Sequence, residues 1–198
     1  MVATDDDRIA DAVKRFGGDV VMTRENHPSG TDRVAEAASC FPELDVIINI
    51  QGDEPLIDPE LIDALVRVLK EDRQADMVTA ANPLNEEALL NDPNVVKVVL
   101  DRSGRALYFS RSRIPFPRSK DVPGLQPLRH KGIYGFQRAF LETFVSWPPS
   151  ILEQCEGLEQ LRALENGASI RVVITEDQSP GVDTPEQARI VSAQIGGG

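Results

Sequence analysis

Asp45-Val-Ile-Ile-Asn-Ile-Gln-Gly-Asp-Glu-Pro55 is the stretch on which the fold turns. Val46 to Ile50 is a short run rich in β-branched apolar residues and bounded by turn formers, the pattern of a strand buried on both faces of a parallel sheet. Gly52 permits a tight turn, and Asp53-Glu54 set two carboxylates just past the strand's carboxyl end, where open α/β sheets place their ligands. Pro55 prevents an immediate return to regular structure. Alone, the pattern reads equally well as an ordinary polar turn, so its meaning depends on the rest of the chain.

Outward toward the amino end, Val34, Ala37 and Ala38 share one side of a helix. It is entered through the polar loop Thr23-Arg-Glu-Asn-His-Pro-Ser-Gly-Thr-Asp-Arg33. There Gly30 and small hydroxyl residues let backbone approach a planar ligand, while Ser29 or Thr31 would serve as well for a helix cap alone. Further out, Val20 to Met22 reads as a strand, and Ile9, Ala12, Val13 and Phe16 recur at helical spacing before Gly17-Gly18. Met1 to Asp7 looks like the end of a strand followed by an acidic helix start.

Toward the carboxyl end, Asp58-Pro59 is an N-cap and N1 pair for a helix bearing Leu61, Leu65 and Leu69, and Met77 to Ala80 is another strand. Val95 to Leu100 and Ala106 to Ser110 flank Asp101-Arg-Ser-Gly104, a hairpin signal, so the sheet is not purely parallel. Arg111 to Arg129, with its prolines and weak periodicity, reads as a long ordered loop. Lys131 to Phe136 is a strand, and Arg138 to Trp147 a helix. Ser150-Ile-Leu-Glu153 is a capping box opening a helix that runs to Asn166 and Gly167, with Leu158, Leu161 and Leu164 in the core. Ile170 to Ile174 is the last strand, and Thr184-Pro-Glu-Gln187 caps a terminal helix.

The alternation of strands and helices over 198 residues predicts one α/β domain, 1–198, without internal repeats. A formal charge of −11, from 32 acidic and 21 basic residues, argues against a nucleic-acid surface or an anionic membrane patch. An acidic protein handling anionic substrates needs a divalent cation beside its carboxylates. Cys40 and Cys155 lack metal or redox spacing and read as buried, reduced thiols. No apolar run reaches membrane-spanning length and no signal-peptide pattern opens the chain, so a cytoplasmic protein is expected.

More specific are segments that occur in one order: Val-Ala-Thr-Asp-Asp (2–6), His-Pro-Ser-Gly-Thr-Asp-Arg (27–33), Gln-Gly-Asp-Glu-Pro (51–55), Val-Val-Lys-Val-Val (95–99), Leu-Tyr-Phe-Ser-Arg (107–111), Arg-His-Lys-Gly-Ile-Tyr-Gly (129–135), Leu-Glu-Gln-Leu-Arg (158–162) and Gly-Val-Asp-Thr-Pro-Glu (181–186). Together they resemble the 3-deoxy-manno-octulosonate cytidylyltransferases, or CMP-Kdo synthetases, over nearly the whole chain. The resemblance implies a three-layer α/β/α fold with a mostly parallel, mixed sheet, like that of the nucleotide-diphosphosugar transferases. It implies CTP and the eight-carbon acid sugar Kdo as substrates, CMP-Kdo and pyrophosphate as products, a place in lipopolysaccharide synthesis, Mg²⁺ as cofactor and a homodimer. By the same resemblance Asp53 and Asp183 hold Mg²⁺ and carry catalysis, while Ser29, Gly30, Thr31 and Gln51 meet the nucleotide. Arg111, His130, Tyr134, Glu159 and Gln160 meet the sugar, cation to carboxylate and polar groups to hydroxyls.

The family's first strand and its phosphate loop, of the form Pro-Ala-Arg with Arg-Leu-Pro-Gly-Lys-Pro, have no counterpart in these residues. The expectation is an N-terminally truncated domain of weakened stability, with weak or no turnover. Two rivals stand beside the Kdo reading: a cytidylyltransferase for another acid sugar such as a sialic acid, and a non-catalytic remnant that still binds sugar or a partner.

Overall fold

In the computed structural model, which describes residues 1–119, 122–177, 182 and 185–196, the elements alternate as the sequence predicts. They are β1 (Val2–Thr4), α1 (Asp7–Arg15), β2 (Val20–Met22), α2 (Gly30–Ser39), β3 (Val46–Asn49), α3 (Pro59–Glu71), β4 (Met77–Pro83), α4 (Glu87–Asn91), β5 (Lys97–Leu100) and β6 (Ala106–Ser110). There follow β7 (Leu128–Gln137), α5 (Arg138–Ser146), α6 (Ile151–Glu156), α7 (Gln160–Glu165), β8 (Ile170–Ile174) and α8 (Pro185–Gly196).

The sheet is mixed. The order is β6-β5-β7-β4-β8 with β3 also on β7, and β1 pairs with β2 separately. The pairs β1/β2 and β4/β8 are parallel, and β7 runs antiparallel to β3, β4 and β5. The parallel pairing expected for Val46 to Ile50 is therefore corrected: among the described strands, β3 bonds only to the antiparallel β7. Its direction follows from the way β7 separates it from β4, which also opposes β7.

Alternation along the strands sorts the side chains between two helical layers. Val78, Ala80 and Ile133 pack with Leu61, Leu65 and Leu69 of α3. Ile47, Met77, Ala81 and Phe136 face the other way, onto Ala38 of α2, Leu141 and Phe144 of α5, and Leu161 of α7. The result is α/β/α. Gly135 lets α3 approach β7 closely, because a Cβ there would lie 2.7 Å from both Ile48 Cδ1 and Val78 Cγ1 and 2.9 Å from Leu69 Cδ1.

Three other expectations change. Ser150 and Glu153 do form the capping box, but Gly157 adopts φ 62° and ends α6, so the expected single helix becomes α6 and α7. Cys40 and Cys155 are free but exposed rather than buried, one at the C-cap of α2 and the other in α6, a helix without buried residues. In α1 the buried residues are Ala10 and Val13, whereas Ile9 and Phe16 are exposed. Among the described residues no helix is long and apolar enough to cross a membrane.

Candidate active site

The site lies at the carboxyl end of β3, on the sheet face that carries α2 and α7. Ser29 caps α2: its backbone is extended and its Oγ accepts the Asp32 N–H at 3.2 Å. The same hydroxyl lies 2.7 Å from Asp32 Oδ2 and 2.8 Å from Glu159 Oε1, and having one proton it donates to one of them at a time. Thr31, almost wholly buried, donates to Glu159 Oε2 at 2.7 Å. Of the open alternatives in the sequence, Ser29 takes the cap, and both hydroxyls reach Glu159.

Asn49, 2 % exposed, continues the network. Its Nδ2 donates to Thr31 Oγ1 and its Oδ1 accepts from Gln51 Nε2, each at 3.2 Å. A Cβ on Gly30 would lie 3.2 Å from Gln51 Oε1, so glycine there leaves room for the Gln51 amide. Ser29, Gly30, Thr31 and Gln51, the residues expected to meet a nucleotide, are therefore together.

Tyr134 is the register partner of Asn49 on one side and of Thr79 on the other. Its hydroxyl donates to Gln160 Oε1 at 3.0 Å. Burial, reinforced by the Glu159 carboxylate, holds this phenol protonated far above its usual range. Among the described residues the buried Gln160 Nε2 has no hydrogen-bond partner. The His130 ring sits edge-on to Phe109 at 4.9 Å and 5.5 Å from the Tyr134 ring. Thr79 donates its proton to Ile133 O at 2.7 Å, so at 2.9 Å it accepts from His130 Nε2–H, which leaves Nδ1 as the ring's acceptor. Burial pushes the His130 pKa down to about 3, so the ring is neutral at physiological pH.

Glu159 and Gln160 owe their position to the break between α6 and α7. Arg162 grips Glu153 through two hydrogen bonds, 2.8 and 2.5 Å, donates to Trp147 O and stacks 4.9 Å over the Phe144 ring. From the opposite side Arg111 donates to the carbonyls of Pro93, Glu156 and Gly157, which uses three of its five N–H groups. Lys97, wholly buried, bonds the carbonyls of Asp92, Val95 and Arg111. The Arg111 guanidinium thus stands two residues before Glu159, held to backbone.

Asp53 is exposed and its carboxylate bonds to no described residue, but its backbone carbonyl accepts the Val182 N–H at 2.7 Å. Asp183 lies outside the described residues. Beside Asp53, burial raises the Glu54 carboxyl, with Lys131 opposing that shift and Asp53 adding to it. Among the described residues no three His, Cys, Asp or Glu side chains form a metal cluster. The sequence reading passed over Asn49 and Thr79, although each is a polar residue set in an apolar strand run, a signal that it faces other polar groups.

The family model described as Cytidylyltransferase matches residues 1–170. A 3-deoxy-manno-octulosonate cytidylyltransferase of Syntrophotalea carbinolica is 52 % identical, over 100 % of this chain and 81 % of its own length. The 8-amino-3,8-dideoxy-manno-octulosonate cytidylyltransferase of Shewanella pealeana is 51 % identical, over 98 % of this chain and 80 % of its own. Among solved structures, a CMP:2-keto-3-deoxy-manno-octonic acid synthetase complexed with CTP superposes with a TM-score of 0.91 at 41 % identity, covering 98 % of this chain and 79 % of that one. A 4-diphosphocytidyl-2C-methyl-D-erythritol synthase from Anaerococcus prevotii, 14 % identical with a TM-score of 0.57, shares the fold alone.

Proposed function

We propose, from the premise that this chain belongs to the cytidylyltransferase family and within it to the 3-deoxy-manno-octulosonate cytidylyltransferases, that it couples CTP to Kdo and releases pyrophosphate. The observation that carries the reading is the Glu159 carboxylate, which takes hydrogen bonds from Ser29 and Thr31 while its neighbour Gln160 takes one from Tyr134. A nucleotide held at the α2 turn and a polyol held at the head of α7 would lie side by side.

The reaction is attack of the sugar's anomeric hydroxyl on the α-phosphate, and the protein's part is to align the reactants. Ser29, Gly30, Thr31 and Gln51 orient the nucleotide. Arg111 meets the sugar carboxylate with the N–H groups not given to backbone, and Tyr134, Glu159, Gln160 and the His130 acceptor bond its hydroxyls. His130 stays neutral and Tyr134 stays protonated across neutral pH, so both meet the sugar as uncharged hydrogen-bonding groups.

The donor set suits Mg²⁺, which binds through one or two carboxylates together with substrate phosphate. Asp53 offers a carboxylate uncommitted to described residues, and its carbonyl accepts the N–H of Val182, the residue before Asp183 in the chain. When bound, the ion neutralises phosphate charge. The exposed free thiols fit the reducing cytoplasm, and the exposed Phe116, Val122 and Leu125 fit a homodimer built on the proline-rich loop.

The test is a single-turnover reaction, protein in excess, with Mg²⁺, CTP and one of three acid sugars: Kdo, its 8-amino analogue or a sialic acid. Expected is pyrophosphate and a CMP-sugar from Kdo. Product from the sialic acid alone, or from no sugar, overturns the reading, and preference for the amino sugar shifts it to the Shewanella pealeana relative's specificity.

A further inference from the structure

The side chains between Glu159 and Gln51 form a relay whose direction is dictated from one end. A carboxylate only accepts, so Thr31 donates its single proton to Glu159 Oε2. Its oxygen is then free to accept only, and does so from Asn49 Nδ2. That turns Asn49 Oδ1 toward Gln51, whose Nε2 donates to it. The Gln51 amide is left with its carbonyl beside Gly30. Thr31 and Asn49 are 1 % and 2 % exposed, so water does not offer them alternative partners and the order of donors is enforced.

We propose that Asn49 is a positioning residue: through it, the Glu159 carboxylate fixes the Gln51 amide so that Gln51 serves a bound substrate as a hydrogen-bond acceptor. The group it meets is a donor, an amino or hydroxyl group, and both CTP and the acid sugar carry such groups. The inference rests on the proposed site but not on its chemistry, because the relay exists without substrate. It makes Glu159, at the head of α7, responsible for what a residue beyond β3 presents to the nucleotide side.

Charge exchange tests it. In Asn49→Leu nothing at position 49 accepts from Gln51 Nε2, so the direction set at Glu159 no longer reaches the Gln51 amide. In the double variant Asn49→Asp with Glu159→Gln, the carboxylate now at position 49 takes protons from both Thr31 and Gln51, which keeps the original direction. The first measurement is the NMR signal of the Gln51 side-chain amide in the substrate-free protein, assigned through Gln51→Glu. It should move in Asn49→Leu and return in the double variant. The second is separate titration with CTP and with Kdo in the presence of Mg²⁺, with UTP and 2′-deoxy-CTP showing which CTP group is read. For the substrate that Gln51 meets, affinity should fall roughly tenfold in Asn49→Leu, the size of one hydrogen bond to a misaligned partner, and for CTP it should recover in the double variant. An amide signal unmoved by Asn49→Leu, or moved and not restored, overturns the proposal. Restored signals with no affinity for either substrate would leave the relay standing and overturn the proposed function instead.

Discussion

Replacing Arg162 by Met tests the support beneath Glu159 and Gln160. Glu153 and Arg162 are 12 % and 7 % exposed at their side chains, so removing the guanidinium strands a carboxylate in a dry place. Breaking such a pair costs about 3–5 kcal/mol. Glu153 keeps the Ser150 N–H at 2.9 Å and Met can still pack on Phe144, which sets the expectation at the lower end, about 3 kcal/mol. For a domain of this size that is a fall in Tm of about 6–12 °C. Adding Glu153→Gln should return about 2 kcal/mol, since the stranded charge is then gone. The effect also has a pH signature. Burial pushes the Glu153 carboxyl up, but the Arg162 hydrogen bonds, the Ser150 N–H and the Arg162 charge outweigh it and hold the group below its ordinary 4.5. Its contribution in the native protein is therefore complete above that value and is lost as pH falls through the depressed folded pKa. In the variant only the Ser150 N–H still opposes burial, so protonation relieves the strain. Urea unfolding of the proteins from pH 7 downward should show a gap that narrows below pH 4.5. A loss under about 1 kcal/mol at pH 7, or a gap independent of pH, would refute the reasoning.

Gly135→Ala should cost about 2–3 kcal/mol in urea unfolding, because its Cβ meets three side chains from β3, β4 and α3 at once; a neutral result would mean that α3 can withdraw from the sheet. The His130 ring should show no NMR titration between pH 8 and 5, and stability should fall by up to about 1.4 kcal/mol per pH unit below 6.5, where the unfolded ring binds a proton that the folded one refuses. A midpoint near 6.5 in the folded protein would contradict its burial. Cys40 and Cys155 should both react with a thiol reagent without denaturant, and reaction only after unfolding would restore the buried reading.

Periodicity was enough to place most elements, since apolar spacing reports which face is covered. Leu61, Leu65 and Leu69 do line α3, and Gly104 at φ 81° does turn the hairpin. What spacing does not carry is direction and interruption. Val46 to Asn49 has the same residues whether its partner runs with it or against it, and only β7 decides. Gly157 reads as one weak helix position, yet its left-handed backbone divides α6 from α7 and brings Glu159 to Ser29. Within the site, Ser29, Thr31 and Gln51 could be grouped from motifs, whereas Asn49 reaches Thr31 through a contact between residues 18 apart on the chain. The cysteines were misjudged because the thiol's usual preference for the interior does not say that α6 buries none of its residues or that Cys40 falls at the exposed end of α2.

The most direct measurement is a crystal structure with Mg²⁺ and CTP bound. The predicted result is a nucleotide resting on Ser29, Gly30 and Thr31, with Gln51 Oε1 facing it and the cation between its phosphates and the carboxylates of Asp53 and Asp183. A nucleotide bound elsewhere on the protein, or a cation that leaves Asp53 untouched, would contradict the assignment.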